Sequence, residues 1–129
     1  MNDSDLRPRV LVVEDEWLIA NVLEAMLEDM GCRVLGPAPA VAPAVDLIDR
    51  SPPDAALLDV SLGRSKSFPV AEALQRQGIP FLFLTGYQET NLDPPFDHCA
   101  VLSKPVSEAG LRRAVTALLA KGRPPLALA

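Results

Sequence analysis

Reactive side chains stand directly after short, unbroken apolar runs at four places in the chain. Glu14-Asp15 follow Val10-Leu11-Val12-Val13, and Asp59 follows Ala55-Ala56-Leu57-Leu58. Thr85 follows Phe81-Leu82-Phe83-Leu84, and Lys104 comes one serine after Ala100-Val101-Leu102. If these runs are neighbouring strands, the polar residues gather at one end of a sheet. Three carboxylates in one crevice repel each other, so they are raised in pKa or neutralised by a cation. A hard divalent ion that takes oxygen ligands and keeps several waters suits them, which means Mg²⁺. A carboxylate is also a nucleophile toward phosphorus and gives an aspartyl phosphate. The phosphoryl oxygens then need electrophilic partners, which a metal, a Lys ammonium and a hydroxyl supply.

Taken singly, each feature has an ordinary explanation. An acid at a strand end is commonly a helix N-cap, and Asp59 alone could be a turn residue. Thr85-Gly86 alone is a turn, and Lys104-Pro105 alone is a loop with a solvated charge. Their occurrence together, in order, after different apolar runs is what points to a site.

The elements that must position these residues are legible. Apolar runs without polar alternation predict strands buried on both faces, as in a parallel sheet covered by helices. Arg33-Val34-Leu35 is more mixed and fits an edge strand. Ile19, Val22, Leu23, Met26, Leu27 and Met30 recur at the helical period, and Gly31 follows as a C′ residue. Val41, Val45 and Ile48 predict a second helix, with Pro43 confined to its first turn. Val70, Ala71 and Leu74 predict a third, entered through Pro69 and closed by Gly78. Ser107 is placed to cap a last helix carrying Leu111, Val115 and Leu118, ending near Gly122. Pro94-Pro95 limits the segment 88–96 to a short or mobile helix. The alternation predicts an α/β fold: a flavodoxin-like, doubly wound, five-stranded parallel sheet in the order 2-1-3-4-5, with helices on both faces. Ligands bind such sheets beyond the carboxyl ends of the strands, where the reactive residues lie. Residues 1–8 read as a short polar leader, 9–121 as the domain and 122–129 as a flexible tail.

Composition narrows the classes. At 129 residues the chain fits one domain. Its net charge of −5 argues against duplex DNA or an anionic membrane surface as partner, since both demand a basic face. No stretch approaches the roughly 20 apolar residues of a membrane span, and the N-terminus lacks a signal-peptide core, so a cytoplasmic protein is expected. Cys32 and Cys99 are too few for a disulfide framework or a zinc site and read as reduced structural thiols.

Val10–Val13 with Glu14-Asp15-Glu16, Leu58-Asp59, Thr85-Gly86 and Lys104-Pro105 together resemble the receiver domains of two-component response regulators, over about residues 9–121. The resemblance implies that Asp59 is the phosphoacceptor, that Asp15 binds Mg²⁺ directly and that Glu14 assists, often through water. It also implies a metal ligand from the backbone carbonyl of Ser61, a phosphoryl contact from Thr85 and an ion pair from Lys104. Pro80-Phe81-Leu82-Phe83-Leu84-Thr85-Gly86-Tyr87 is similar to the Phe-Ala-Thr-Gly-Tyr signature of the FATGUY subfamily, with Leu84 in place of Ala. Asp59-Val60-Ser61-Leu62-Gly63 and Ser67-Phe68-Pro69-Val70-Ala71 are similar to that group too. Such receivers often stand alone and associate with histidine kinases of the HWE/HisKA2 type. The chain departs from the family in three places. Val101 occupies the position of the usual aromatic switch, Val106 replaces a Phe, and Leu62-Gly63 replace the usual Met-Pro. Tyr87 is the candidate to take over the aromatic role, the alternative being a plain packing or surface residue.

The expected function is therefore that of a single-domain response regulator, not an enzyme. It accepts a phosphoryl group from a histidine kinase on Asp59 and signals through a downstream protein, or drains phosphate from a shared kinase. An aspartate-nucleophile phosphohydrolase would want a second acid where Ser61 stands, and a flavodoxin-like cofactor binder would want a phosphate-cradling glycine loop. Trp17 is expected to pack against the first helical turn, and His98 to lie on the surface away from the site.

Overall fold

The apolar runs become the strands of one parallel sheet in the computed structural model, which describes residues 6–86, 92 and 95–122. In chain order the elements are β1 (Arg9–Val13), α1 (Trp17–Asp29), β2 (Arg33–Ala38), α2 (Val41–Arg50), β3 (Ala55–Asp59), β4 (Ser61–Leu62), β5 (Ser65–Lys66), α3 (Phe68–Arg76), β6 (Phe81–Thr85), β7 (Val101–Ser103) and α4 (Glu108–Gly122). Five strands pair in parallel in the order β2-β1-β3-β6-β7, which is the expected 2-1-3-4-5 arrangement. A separate antiparallel hairpin, β4-β5, is an addition that apolar periodicity does not announce.

Successive strand residues point to opposite faces, so each buried strand feeds two cores. Val10 and Val12 pack with Leu23 and Leu27 of α1 and with Leu111 and Val115 of α4. Leu11 and Val13 turn the other way, toward Ala44 and Ile48 of α2 and Val70 and Leu74 of α3. β3, in the middle of the sheet, is buried at all of its positions. On the α2/α3 side the Phe83 ring sits edge-on to Phe81, Phe68 and Phe96 at centroid distances of 5.6, 5.7 and 5.8 Å. Phe68 and Phe96 stack at 5.1 Å. Aromatic pairs of this kind add about 0.5–1.5 kcal/mol each beyond their area burial. They anchor Phe96 close to where the chain re-enters the sheet.

The helix signals act as expected. Pro43 and Pro69 lie in the first turns of α2 and α3, where a missing N–H costs nothing. Ser107 Oγ accepts a hydrogen bond from the Gly110 N–H at 3.0 Å. Most of the segment 88–96, the tail beyond 122 and residues 1–5 of the leader lie outside the described residues. No helix among the described residues is long and apolar enough to cross a membrane.

One backbone detail sets the β1/β2 edge. The register slips between Leu11 and Val13, and Gly36 absorbs the slip at φ +89°. A Cβ at this position would meet Ala38 N at 2.7 Å and Val12 O at 3.1 Å. Gly36→Ala is expected to destabilise the protein by about 1–2 kcal/mol from the left-handed conformation alone, with the backbone collision adding to it. A urea titration checks this, through a lowered midpoint at unchanged slope.

Candidate functional site

Residues that leave the carboxyl ends of β1, β3, β6 and β7 converge. Glu14 prolongs β1 by one residue, its N–H donating to the Ala38 carbonyl at 3.0 Å, and this carries its side chain under the sheet end at 2% exposure. Asp59 ends β3 and is 6% exposed, whereas Asp15 faces solvent. One carboxylate oxygen from each of Glu14, Asp15 and Asp59 lies within 4.8 Å of the other two. Lys104, just beyond β7, reaches into the same space. Its Nζ is 2.8 Å from Glu14 Oε1 and donates a hydrogen bond to Asp59 Oδ2 at 3.2 Å. The family resemblance implies an ion pair from Lys104, and Glu14 is the nearer of its two acids.

Thr85 is buried at the end of β6, one residue past Leu84, the register partner of Asp59. Its carbonyl accepts the Lys104 N–H at 2.8 Å, so the main chain ties two of the expected site residues together. Ser61 lies two residues beyond Asp59 as the first residue of β4, and is half-buried. Tyr87 lies outside the described residues. Val101, at the expected switch position, is 45% exposed on β7.

Burial dominates the electrostatics. It pushes the Glu14 carboxyl up to about 7; the Lys104 ammonium pulls it down, and Asp59 pushes it further up. For Lys104, burial works to lower the pKa, but Glu14 and Asp59 outweigh it and the net shift is upward. Lys104 is thus a fixed cation between two buried acids. Glu14 Oε1 has that cation beside it but no hydrogen bond directed at it. Three hard oxygen donors and one incompletely satisfied buried oxygen fit a divalent cation with oxygen preference.

Two features of the site were not foreseen. Trp17 does not pack on the first turn of α1; it is 71% exposed beside the acids, and Leu18 and Val22 on the same helix are exposed as well. The hairpin β4-β5 carries Arg64 in its turn and Lys66 on its second strand, and the turn lies close enough to Asp15 that a Cβ on Gly63 would be 3.8 Å from Asp15 Oδ2. The signal was present as Leu62-Gly63-Arg64-Ser65, a Gly-X pair of the kind that makes two-residue hairpin turns. Elsewhere, His98 is exposed and its nearest ionic neighbour is Asp97 at 3.8 Å. Cys32 is buried and Cys99 half-buried, both free thiols whose pKa burial raises.

The family model for the response regulator receiver domain matches residues 10–116. The phyllosphere-induced regulator PhyR of Methylorubrum extorquens AM1 is 32% identical over 124 residues, covering 90% of this chain and 45% of PhyR. The chain therefore spans about half the length of the curated relatives it matches. Among solved structures, SdrG from Sphingomonas melonis Fr1 is 43% identical with a TM-score of 0.78, covering 88% of this chain and 97% of SdrG. The BeF3-activated conformation of SdrG, from Pseudomonas melonis Fr1, is 44% identical with a TM-score of 0.74, covering 86% of this chain and 95% of that one.

Proposed function

Because the chain belongs to the response regulator receiver family, a family of signalling regulators rather than enzymes, we propose that it takes a phosphoryl group onto Asp59 from the phosphohistidine of a histidine kinase. The observation that carries this reading is the buried Asp59 carboxylate, hydrogen-bonded to Lys104 and grouped with Glu14 and Asp15. In the transfer, an Asp59 oxygen bonds to phosphorus as the donor's P–N bond breaks, and the imidazole leaves with the electron pair. Lys104 holds a phosphoryl oxygen by ion pairing, and the Thr85 hydroxyl donates to another.

Glu14, Asp15, Asp59 and the Ser61 carbonyl would hold Mg²⁺. When bound, the ion supplies charge neutralisation for the carboxylates and the phosphoryl oxygens. The kinase is of the HWE/HisKA2 type on this reading, supported by the Phe83–Tyr87 signature and by the likeness to SdrG. The BeF3-activated state known for SdrG supports an activation step at this pocket. The output is a phosphorylation-dependent contact with another protein. The relay leaves through Tyr87, a role favoured by the exposed aliphatic Val101 at the usual switch position.

Incubation with acetyl phosphate and Mg²⁺ tests the reading by intact mass. One phosphoryl adduct is expected, and hydroxylamine, which cleaves acyl phosphates but not phosphoserine esters, removes it. No adduct, or one that resists hydroxylamine, overturns the proposal. Trp17 offers a second readout: its indole stands two residues from Asp15, so its fluorescence is expected to change on Mg²⁺ addition. A flat titration would count against the acids as the binding site.

A further inference from the structure

The hairpin β4-β5 has a built geometry at the position where the phosphoacceptor loop meets the acid pocket. Its strands pair Ser61 with Lys66 and Leu62 with Ser65, leaving Gly63 and Arg64 as a two-residue turn. Gly63 has φ +66°, while Arg64 is not among the positive-φ residues, which defines a type II′ turn. The base is closed by the Ser67 N–H donating to the Val60 carbonyl at 2.9 Å, and Val60 N–H in turn donates to Leu84 O at 3.1 Å in the main sheet. Across the open end, Lys66 Nζ donates to Ser61 Oγ at 3.0 Å. Ser61 is thus held by backbone pairing and by a cross-strand side-chain bond, and the turn itself abuts Asp15.

Resting on the cation site proposed above, we propose that Lys66 is a positioning residue for it: by holding Ser61 across the hairpin, it fixes the backbone carbonyl that completes the Mg²⁺ ligand set. Two effects of Lys66 oppose each other, which makes the idea decidable. Its positive charge, within hydrogen-bond reach of Ser61, repels an incoming cation, so the field alone would make Lys66→Met bind Mg²⁺ more tightly. Its grip on Ser61 orders a ligand, so positioning makes the same variant bind less tightly. Ser61→Ala separates the two, because it removes the Oγ acceptor and keeps both the carbonyl and the Lys66 charge.

Calorimetric Mg²⁺ titrations of the full chain are the test, on wild type, Lys66→Met, Ser61→Ala and the double variant. The two single variants are each expected to weaken binding by about tenfold, the low end for outer partners of metal ligands because this bond is exposed. The double variant is expected to be no weaker than either single one, as for residues that act through one shared contact. The urea midpoint and slope of each variant are expected to stay close to wild type, which a general loss of structure would not allow. Tighter binding by Lys66→Met, or unchanged binding by Ser61→Ala, overturns the proposal. If wild type itself neither binds Mg²⁺ nor forms an adduct, the underlying reading of the pocket falls instead.

Discussion

Asp59→Asn is expected to abolish the acetyl-phosphate adduct altogether and, at the same time, to leave a folded protein that is more stable than wild type at pH 8. The first effect follows from chemistry: an amide has no carboxylate oxygen to bond to phosphorus. The second follows from the charge balance of the pocket. Three acids face a single Lys104, and two of them are buried. Asn keeps an oxygen that can accept the Lys104 hydrogen bond, and Glu14 retains its 2.8 Å contact with Lys104. The expected gain is on the order of 1 kcal/mol, the worth of a little under one unit of pKa shift. Its pH dependence has a definite sign. Glu14 is raised from 4.5 to about 7 in the folded protein, so its charged form costs stability, and that cost develops as pH rises through this interval. Near pH 5 Glu14 carries a proton, the repulsion is gone, and the gain from Asp59→Asn is expected to shrink. Denaturation of both proteins at pH 5 and pH 8 checks this. An adduct that survives in Asp59→Asn would refute the phosphoacceptor assignment.

Lys104→Met has the opposite consequence. It leaves Glu14 and Asp59 buried with no countercharge, having lost contacts at 2.8 and 3.2 Å. Removing one partner of a buried ion pair typically costs 3–5 kcal/mol. Here the pocket is open on the Asp15 side and Glu14 can take up a proton, so about 2–3 kcal/mol at pH 8 is expected, a large part of a stability of about 5–15 kcal/mol. The Lys104 pKa is itself raised, so its charge is present throughout pH 5–8. The loss is therefore expected to diminish toward pH 5 only because Glu14 becomes neutral. Mg²⁺ is expected to restore more stability to Lys104→Met than to wild type, since a bound cation replaces the missing charge. Phosphorylation by acetyl phosphate is expected to fall well below wild type even when the variant is folded. Equal stability of the two proteins at pH 8 would show that the buried acids do not depend on Lys104.

The sheet and the acid pocket were readable because burial on both faces leaves an unmistakable trace. After Arg9, β1 carries no polar residue, and β3 and β6 carry none before their last position, so the first polar residue after each apolar run marks both the boundary and the candidate site. Glu14, Asp59 and Thr85 were found in this way. The hairpin β4-β5 was not, because strands of two residues are too short to show alternation. Trp17 departs from the expected packing for a different reason. A large aromatic at a helix start is usually drawn inward, but Leu23 and Leu27 already fill the α1 face that meets the sheet, which leaves Trp17, Leu18 and Val22 outside. Which side of a helix turns inward depends on what its neighbours have already covered.

Asp59 ends the most completely covered strand among the described residues: β3 is flanked by β1 and β6 and buried at every position. Backbone amides in such a strand exchange with solvent only when the whole domain unfolds. The proposed phosphoacceptor is thus mounted on the last part of the fold to open. Chemistry at Asp59 cannot make room for itself by breathing of its own strand, and any response must be taken up by what surrounds it. Among the described residues, the peripheral neighbours that could take it up are the β4-β5 hairpin and β7, which pairs on one side only.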